Sequence, residues 1–192
     1  MFLDVSFVAK ADFPTKFGHF QIWAFTDSDK KEHLVLSSGE IADGSLVRLH
    51  SKCQTGDALN SKRCDCHDQL ESSLKYFAKN SGLLIYLDQE GRGIGLANKI
   101  KAYSLQDQGM DTVEANLALG FCEDMRDFEV AAKILAFFKI KKIHLLTNNP
   151  FKIQDLIRHG IEVVSRKPLS IKPNRFNKRY LKTKKEKMSH LL

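Results

Sequence analysis

Three cysteines in one short polar segment are the residues of this chain best suited to do chemistry. Cys53, Cys64 and Cys66 have the spacing C-x10-C-x-C, and the last two stand too close together to belong to a disulfide scaffold. Thiolates grouped in this way indicate a soft-metal site, most often zinc. With three protein ligands the fourth position is open to water and the metal can be catalytic, whereas His50 or His67 as a fourth ligand would make it structural. The spacing leaves both alternatives open.

Thiolates need positive neighbours, and we expect Lys52, Lys62 and Arg63 to supply them.

A glycine-rich segment, Q-E-G-R-G-I-G-L at positions 89–96, is the second candidate. It follows a predicted strand and precedes a predicted helix, where backbone N–H groups and a helix N-terminus favour phosphate. The segment lacks the G-K-[ST] ending of a phosphate loop and the glycine spacing of a dinucleotide site. A tight connection is therefore the alternative, but Arg92 inside the turn favours an anion.

Two further clusters have both structural and functional interpretations. Asp124 and Arg126 lie in E-D-M-R-D near a predicted helix start, where they could form a surface ion pair or cap. In a site, Arg126 would bind a phosphate and Asp124 could accept a proton. The segment T-N-N-P from Thr147 predicts a helix cap at a strand end, which is also where ligands collect in α/β folds.

The elements that must position these residues change in character along the chain. Four β-like runs (5–8, 20–25, 34–36 and 46–50) predict an antiparallel meander at the N-terminus. Helices and strands then alternate: predicted helices at 70–78, 96–108 and 128–138, a buried strand at 83–87, and a C-terminal strand–helix–strand unit over 143–164. In the second of these helices we place Leu96, Ile100 and Tyr103 on one face. We expect a mixed α/β (α+β) fold in one domain covering residues 1–192.

Composition limits the function classes. The 192 residues are 43% hydrophobic and 28% charged, without a membrane-span-length apolar run or a secretion signal, so we expect a cytoplasmic location. Most of the net charge of +7 comes from the C-terminus, since ten Lys/Arg and one acid follow Val164. We interpret residues 170–192 as a basic tail, either a solvated segment or a surface for polyanions such as a nucleoside triphosphate. Nucleic acid is not expected, because only Phe176 and Tyr180 interleave the basic residues.

Taken together, the motifs resemble those of the GTP cyclohydrolase II family of riboflavin biosynthesis. The resemblance runs over nearly the whole chain. It rests on seven ordered blocks: R-L-H-S-x-C-x-T-G-D from position 48, R-C-D-C from 63, Q-E-G-R-G-I-G-L from 89, K-I-x-A-Y-x-L-Q-D-Q-G-x-D-T-V-E-A-N from 99, R-D-F from 126, L-L-T-N-N-P from 145 and E-K-M-x-H-L-L from 186.

This resemblance implies a Zn²⁺- and Mg²⁺-dependent homodimeric hydrolase. It would convert GTP to 2,5-diamino-6-ribosylamino-4(3H)-pyrimidinone 5′-phosphate, formate and pyrophosphate. One zinc per subunit would be held by Cys53, Cys64 and Cys66, with a water in the fourth position activated to attack carbon 8 of guanine. Mg²⁺ would accompany the GTP phosphates.

The resemblance also assigns roles to individual residues. Tyr103 matches a tyrosine close to the zinc chemistry, Asp124 the proton acceptor and Arg126 the nucleophile for pyrophosphate release. A guanidinium is a poor nucleophile while charged, so stabilisation of phosphate charge is the chemically easier role for Arg126. The positions that match GTP contacts are Arg48, Leu49, His50, Ser51, Lys52, Gln69, Glu90, Gly91, Arg92, Thr112, Thr147 and Lys152.

The chain departs from the family pattern at two positions beside the metal ligands. Lys52 replaces a glutamate and could strengthen phosphate binding or disturb the metal site; His67 replaces a glycine and offers an extra ligand or a solvent-facing side chain. The alternatives to the enzyme are a non-catalytic or altered GTP-binding homologue and a zinc-containing RNA-binding module. A bifunctional enzyme with a second synthase domain is not expected at this length.

Overall fold

The structure is a computed structural model that describes residues 4–191, and of Arg179 only the backbone. Seven strands form one sheet: β1 Val5–Thr15, β2 Gly18–Asp27, β3 Glu32–Ser38, β4 Ser45–Ser51, β5 Gly82–Leu87, β6 Lys142–Leu146 and β7 Glu162–Lys167. The described α-helices are α1 Gln54–Asp57, α2 Cys66–Phe77, α3 Leu96–Asp107, α4 Thr112–Ala118, α5 Glu129–Phe137, α6 Pro150–Arg158 and α7 Lys178–Lys187. This architecture confirms the predicted mixed α/β fold.

The order of strands across the sheet is β1-β2-β3-β5-β4-β6-β7. β1, β2, β3 and β5 are antiparallel neighbours, whereas β4, β6 and β7 run parallel to one another. The prediction that all four N-terminal runs form a meander was therefore wrong for the fourth. β5 lies between β3 and β4, so β4 takes part in the parallel half of the sheet.

Alternating side chains of the central strands supply two apolar clusters. In β5, Leu83 and Ile85 join the larger cluster, which includes residues of α5 and α6. Leu84, between them, joins the smaller cluster with Phe77 of α2. Because successive strand residues point to opposite faces, one short apolar run contributes to both clusters.

The chain divides into two compact units. We call the first the sheet unit: residues up to His50, Leu70–Asp88 and Asp127–Leu169. The second, which we call the helical unit, comprises Ser51–Gln69, Gln89–Arg126 and the residues from Ser170 onward. The predicted single domain 1–192 includes residues 1–3 and 192, which lie outside the described residues.

The helical unit differs from the sequence predictions in two respects. On α3 the buried side chain is Ala102, while Ile100 is exposed, so the predicted apolar face was wrong there. The basic C-terminus, for which we considered a solvated segment or a surface for polyanions, forms α7, which contains buried Leu181 and Lys184. Among the helices described, none is long and apolar enough to cross a bilayer.

Candidate active site

The three predicted metal ligands come together in the helical unit. Donor atoms of Cys53, Cys64 and Cys66 lie within 4.8 Å of one another, and the Sγ atoms of Cys53 and Cys64 are 3.8 Å apart. Two sulfurs that are each about 2.3 Å from one tetrahedral zinc would be roughly 3.8 Å apart. The spacing of this thiol pair therefore fits a tetrahedral zinc.

A glycine makes this grouping possible. A Cβ atom added to Gly56 would lie 2.9 Å from Cys64 Sγ and 3.1 Å from Cys53 Sγ. Its φ angle is not in the left-handed region, so space rather than backbone conformation requires glycine here. The thiols thus close around bare backbone, and the donor set fits a thiolate-binding metal.

Lys99 of α3 is a cation that contacts the thiols, and it adds to the predicted candidates Lys52, Lys62 and Arg63. Its Nζ donates to Cys53 Sγ at 3.0 Å and to Glu90 Oε1 at 2.8 Å. Hydrogen bonds from the neighbouring thiols and from Lys99 lower the pKa of Cys53, which makes this sulfur the most easily ionised of the three.

Glu90 joins residues 53–66, the segment with the three candidate metal ligands that we call the metal loop, to the glycine-rich turn, Glu90–Gly93. One carboxylate oxygen accepts from the backbone N–H of Gln54 at 2.5 Å, directly after the first cysteine. The other accepts from Lys99 and from the N–H of Gly91. Because Glu90 is 7% exposed and its oxygens bond to protein, we assign its side chain a positioning role.

Tyr103 lies one helical turn after Lys99 and reaches the metal loop through a hydroxyl. Its Oη is 3.4 Å from Thr55 Oγ1, which in turn is 3.7 Å from Cys53 Sγ. Burial raises the pKa of Tyr103 to about 12, so the phenol keeps its proton at neutral pH.

Asp124 and Arg126 form a two-point ion pair whose side chains are largely shielded from solvent, at 12–16% exposure. Arg126 Nε donates to Asp124 Oδ1 at 2.8 Å and Nη2 donates to Oδ2 at 2.5 Å. Burial alone would raise the pKa of Asp124, but the hydrogen bonds from Arg126 lower it. For Arg126, burial opposes the charged form while Asp124 raises its pKa. The pair is therefore ionised, and its carboxylate is a weak base.

The glycine-rich turn lies against the segment that carries this pair. The N–H of Met125 donates to the Arg92 carbonyl at 3.1 Å, and a Cβ on Gly93 would be 3.2 Å from Met125 Cβ. Arg92 itself has a left-handed φ of 60°. Its Nη1 donates to the Glu123 carbonyl at 3.4 Å, whereas its buried Nη2 has no hydrogen-bond partner among the described residues. This N–H can therefore donate to an additional acceptor, and an anion would pair best with its charge.

Further predicted GTP contacts lie in the helical unit. Ser51 Oγ accepts from Arg126 Nη1 at 3.3 Å, and Gln69 donates to Asp65 at 2.5 Å. Lys52 is half-buried. Thr112 begins α4 and lines a cavity of about 230 Å³.

Another group of predicted contacts lies in the sheet unit, on β4 and after β6. Parallel neighbours such as these strands end at the same edge of a sheet. Arg48 donates to the Leu146 carbonyl at 3.0 Å, and Lys152 donates to the Leu49 carbonyl at 2.8 Å. The Leu49 side chain belongs to the apolar core, which leaves only its backbone for a substrate.

His50 and Thr147 complete this second group. His50 is 3% exposed and stacks on Tyr86, with ring centroids 5.4 Å apart. Thr147 is buried, and its Oγ1 accepts from the N–H of Asn149 at the start of α6. The predicted cap therefore exists, and Asn149 also accepts from the N–H of Phe151.

The structure gives no support to a histidine as fourth metal ligand. His67 Nδ1 lies 3.3 Å from the Asp57 carbonyl, and the donor group that contains the three cysteines includes no histidine among the described residues. Sequence reasoning missed Lys99; its placement four residues before Tyr103 on one helix was the available signal.

The fold, the group of three thiols and the Asp124–Arg126 pair together define a class of protein. This class is a candidate metal-dependent enzyme acting on a phosphorylated substrate. Comparison with known proteins identifies the family. The family model for GTP cyclohydrolase II matches residues 6–168. The chain is 53% identical to GTP cyclohydrolase-2 of Campylobacter hominis over 192 residues, covering 100% of this chain and 97% of that protein. This chain belongs to the GTP cyclohydrolase II family.

Other relatives agree. GTP cyclohydrolase-2 of Picrophilus torridus is 50% identical, with 97% of this chain and 99% of that protein covered. Riboflavin biosynthesis protein RibBA of Staphylococcus epidermidis is also 50% identical, and the match covers 99% of this chain but 49% of that protein. The chain therefore spans about half the length of that RibBA relative and nearly all of the two GTP cyclohydrolase-2 relatives.

Proposed function

We propose that this protein hydrolyses GTP to 2,5-diamino-6-ribosylamino-4(3H)-pyrimidinone 5′-phosphate, formate and pyrophosphate, the first step of riboflavin biosynthesis. Membership of the family and the names of its relatives support this reaction. The observation that carries the proposal is that candidate metal ligands and candidate phosphate ligands lie in the same compact unit. The helical unit holds the thiol group of Cys53, Cys64 and Cys66 and also the arginines Arg92 and Arg126.

We propose Zn²⁺, one per subunit, as the metal held by the three thiolates. Zinc bound in this way lowers the pKa of a water molecule and polarises a neighbouring bond of the substrate. The fit of the sulfur spacing and the bare backbone at Gly56 support this choice. Mg²⁺ is proposed as a companion of the GTP phosphates, since it is commonly bound through substrate oxygens.

Lys99 and Glu90 position the metal loop for this reaction. Lys99 offsets the negative charge of Cys53 through its 3.0 Å contact. Glu90 fixes the N–H that follows this cysteine. The protonated phenol of Tyr103 is suited to donate a hydrogen bond to a substrate atom beside the thiol group.

Arg126 is proposed to stabilise negative charge on the phosphates, with Asp124 holding its orientation. A nucleophilic guanidinium would have to lose a proton, but the ion pair with Asp124 raises the pKa of Arg126. The lowered pKa of Asp124 likewise makes this carboxylate a poor acceptor for that proton. An acid-labile phosphoramidate on Arg126, trapped during turnover, would contradict the electrostatic role.

Arg92 is proposed as a second phosphate ligand, because its buried Nη2 has no hydrogen-bond partner among the described residues and could donate to a phosphate oxygen. Gly91 also matches a family contact with GTP, and its φ of 62° is one that glycine adopts without strain. The remaining proposed GTP contacts come from family resemblance: Arg48, Leu49 through its backbone, His50, Ser51, Lys52, Gln69, Thr112, Thr147 and Lys152.

We propose that residues 1–192 act as one GTP cyclohydrolase II domain in a homodimer. β1, an edge strand of the sheet, exposes Phe7, Val8 and Phe13 at 43%, 57% and 37%, which supports pairing with a second copy. Three metal-binding thiols are best kept reduced, which supports a cytoplasmic location. Sedimentation analysis of the protein and of Val8→Lys tests the dimer, which the charged variant should weaken.

The reaction is tested by incubating the purified protein with GTP and Mg²⁺ while formate and pyrophosphate are measured. The same assay is repeated after zinc is removed with a chelator and after it is restored. We expect both products from the zinc-loaded protein and recovery on reloading. Formate released by truly metal-free protein would refute the metal-dependent reaction, and GTP binding without formate would favour the non-catalytic homologue.

A further inference from the structure

The helix α7 presents one row of contacts at helical spacing. Asn177, Tyr180, Lys184 and Lys187 follow one another at intervals of three or four residues, which places them on one face. Each of the four contacts another segment of the helical unit. These contacts connect a basic C-terminal helix with residues beside the candidate metal ligands.

Two of the contacts reach the segment Cys64–Cys66, where the second and third thiols stand. Asn177, which is 0% exposed, donates through Nδ2 to the Cys64 carbonyl at 3.4 Å. Lys184 Nζ donates to Asp65 Oδ1 at 3.0 Å, and the other oxygen of this carboxylate accepts from Gln69 at 2.5 Å. The residue between two metal ligands is thus held from both sides.

The Lys184–Asp65 pair is buried, and burial makes the loss of either partner energetically costly. The side chain of Asp65 is 2% exposed and that of Lys184 is 11% exposed. Loss of one member of such a pair leaves an uncompensated buried charge, which costs far more than loss of a surface pair. Without Lys184, the Asp65 carboxylate would have to turn towards water. This movement would also shift the backbone of the adjacent residues Cys64 and Cys66.

The other two contacts reach different segments. The ring of Tyr180 contacts two cations. The guanidinium of Arg92, on the glycine-rich turn, lies 5.9 Å from the ring centroid, and the ammonium of Lys184 lies 4.6 Å from it. Lys187 pairs with Asp111, the residue that caps α4, and with Glu114 at 3.3 Å. α7 therefore contacts three segments that carry proposed site residues.

α7 cannot owe its helical form to its own sequence. Its ten residues include six lysines or arginines and one acid, and no acid stands in the first turn. Short helices of about ten residues are marginal in water even with favourable sequences, and closely spaced like charges weaken them. The contacts to the helical unit must supply the missing stability.

We propose that α7 is a clasp for the metal loop, with Lys184 and Asn177 as positioning residues that hold Cys64 and Cys66 in the geometry the metal requires. This inference rests on the zinc site of the proposed function. Because linkage is reciprocal, metal binding in turn stabilises α7. Partners next to metal ligands commonly change metal affinity by about 10–100-fold when removed.

The first test measures zinc release from Lys184→Met and from Lys185→Met. Lys185 is exposed on the same helix and is the matched control. With excess chelator and a colorimetric indicator, we expect about tenfold or faster release from Lys184→Met and unchanged release from the control. Cobalt loaded in place of zinc should show an altered sulfur-to-metal charge-transfer band in Lys184→Met alone. Equal release rates and equal spectra for the two variants would overturn the proposal.

A double variant separates positioning from a general loss of stability. Asp65→Asn combined with Lys184→Met leaves no unpaired buried charge, so we expect it to release zinc more slowly than Lys184→Met. A double variant that releases zinc as fast as Lys184→Met would contradict the role of the ion pair.

The wild-type protein provides a test that does not depend on the folding of any variant. Trypsin should cut within residues 178–187 at least about tenfold faster after zinc is chelated than before, because metal and helix stabilise each other. Equal cleavage rates in the two states would overturn the clasp. A wild type that binds no zinc at all would instead refute the proposed metal site.

Discussion

Replacing Gly56 by alanine is the sharpest perturbation of the thiol group. The new Cβ would lie 2.9 Å from Cys64 Sγ, 3.0 Å from Cys66 Cβ and 3.1 Å from Cys53 Sγ. Non-bonded heavy atoms prefer separations of about 3.5–4.0 Å, so each of these atoms would have to retreat by roughly half an ångström or more. Three contacts of this kind converge on a single methyl group.

The expected size of the effect follows from these distances. Overpacking of this kind costs about 1–3 kcal/mol. At about 1.4 kcal/mol for each factor of ten, zinc affinity should fall by roughly 5–150-fold. The alanine cannot be accommodated by one flexible side chain, because it meets all three candidate ligands at once.

Competition with a chromophoric chelator measures the zinc affinity of Gly56→Ala directly. Gly120→Ala is the control: its φ of 81° strains an alanine, but no atom lies within 4 Å of the added Cβ. We expect the control to lose some stability and to keep its zinc affinity. An unchanged affinity in Gly56→Ala would refute the inference that the thiols close around this backbone.

Three further predictions concern charge. Lys99→Met should weaken zinc binding by about 10–100-fold in the chelator assay, because it removes the donor to Cys53, while the exposed Lys101→Met should not; equal affinities would contradict the role of Lys99. Arg126→Lys should lower kcat for pyrophosphate release by about 10²–10³-fold, because lysine cannot form the two-point pair with Asp124; a rate within a few-fold of the wild type would count against this role. Burial alone would raise the pKa of Asp27, but hydrogen bonds from Lys31 and His33 leave this pKa below its unfolded value of about 3.9. The stabilising contribution of Asp27 is therefore present above about pH 4 and is lost as the pH falls through the folded pKa. Urea unfolding at a series of pH values should therefore show a weaker acid dependence for Asp27→Asn than for the wild type, and identical pH profiles would contradict the assignment.

Local patterns explain how much of the fold the sequence could predict. The run Leu83–Leu87 was recognisable as a buried strand because it is short, apolar and bounded by polar residues. Its position between β3 and β4 was not, because strand order depends on pairings between distant segments. The error for β4 is therefore one of topology and not of secondary structure.

In the candidate site, too, local groupings could be predicted from the sequence and contacts between distant segments could not. The C-x-C spacing of Cys64 and Cys66 is local, so their grouping could be anticipated. Lys99 is 46 positions from Cys53, and its spacing of four residues from Tyr103 does not by itself separate it from an exposed lysine. Its role depends on which face of the helix is buried, and the apolar residue Ile100 gave the wrong face.

Charge composition was similarly misleading for α7. A Lys-rich segment without apolar periodicity is usually solvated, and most of its residues are exposed. Apart from Leu181, the buried residues of this segment are polar, with Asn177 and Lys184 bonded to residues far upstream. A hydrophobicity pattern cannot reveal a face whose partners are a carbonyl and a carboxylate.

The contacts of α7 also have a consequence for the biosynthesis of the protein. Asn177 and Lys184 are separated from Cys64 and Asp65 by 113 and 119 positions. At about 5–20 residues per second, the ribosome needs roughly 6–24 seconds to span that interval. During this time the segment with the three thiols has been made without the helix that contacts it, which leaves the thiols more open to oxidation or to a competing soft metal. Loading of the proposed zinc would therefore depend on the reducing and metal-buffering conditions around the new chain.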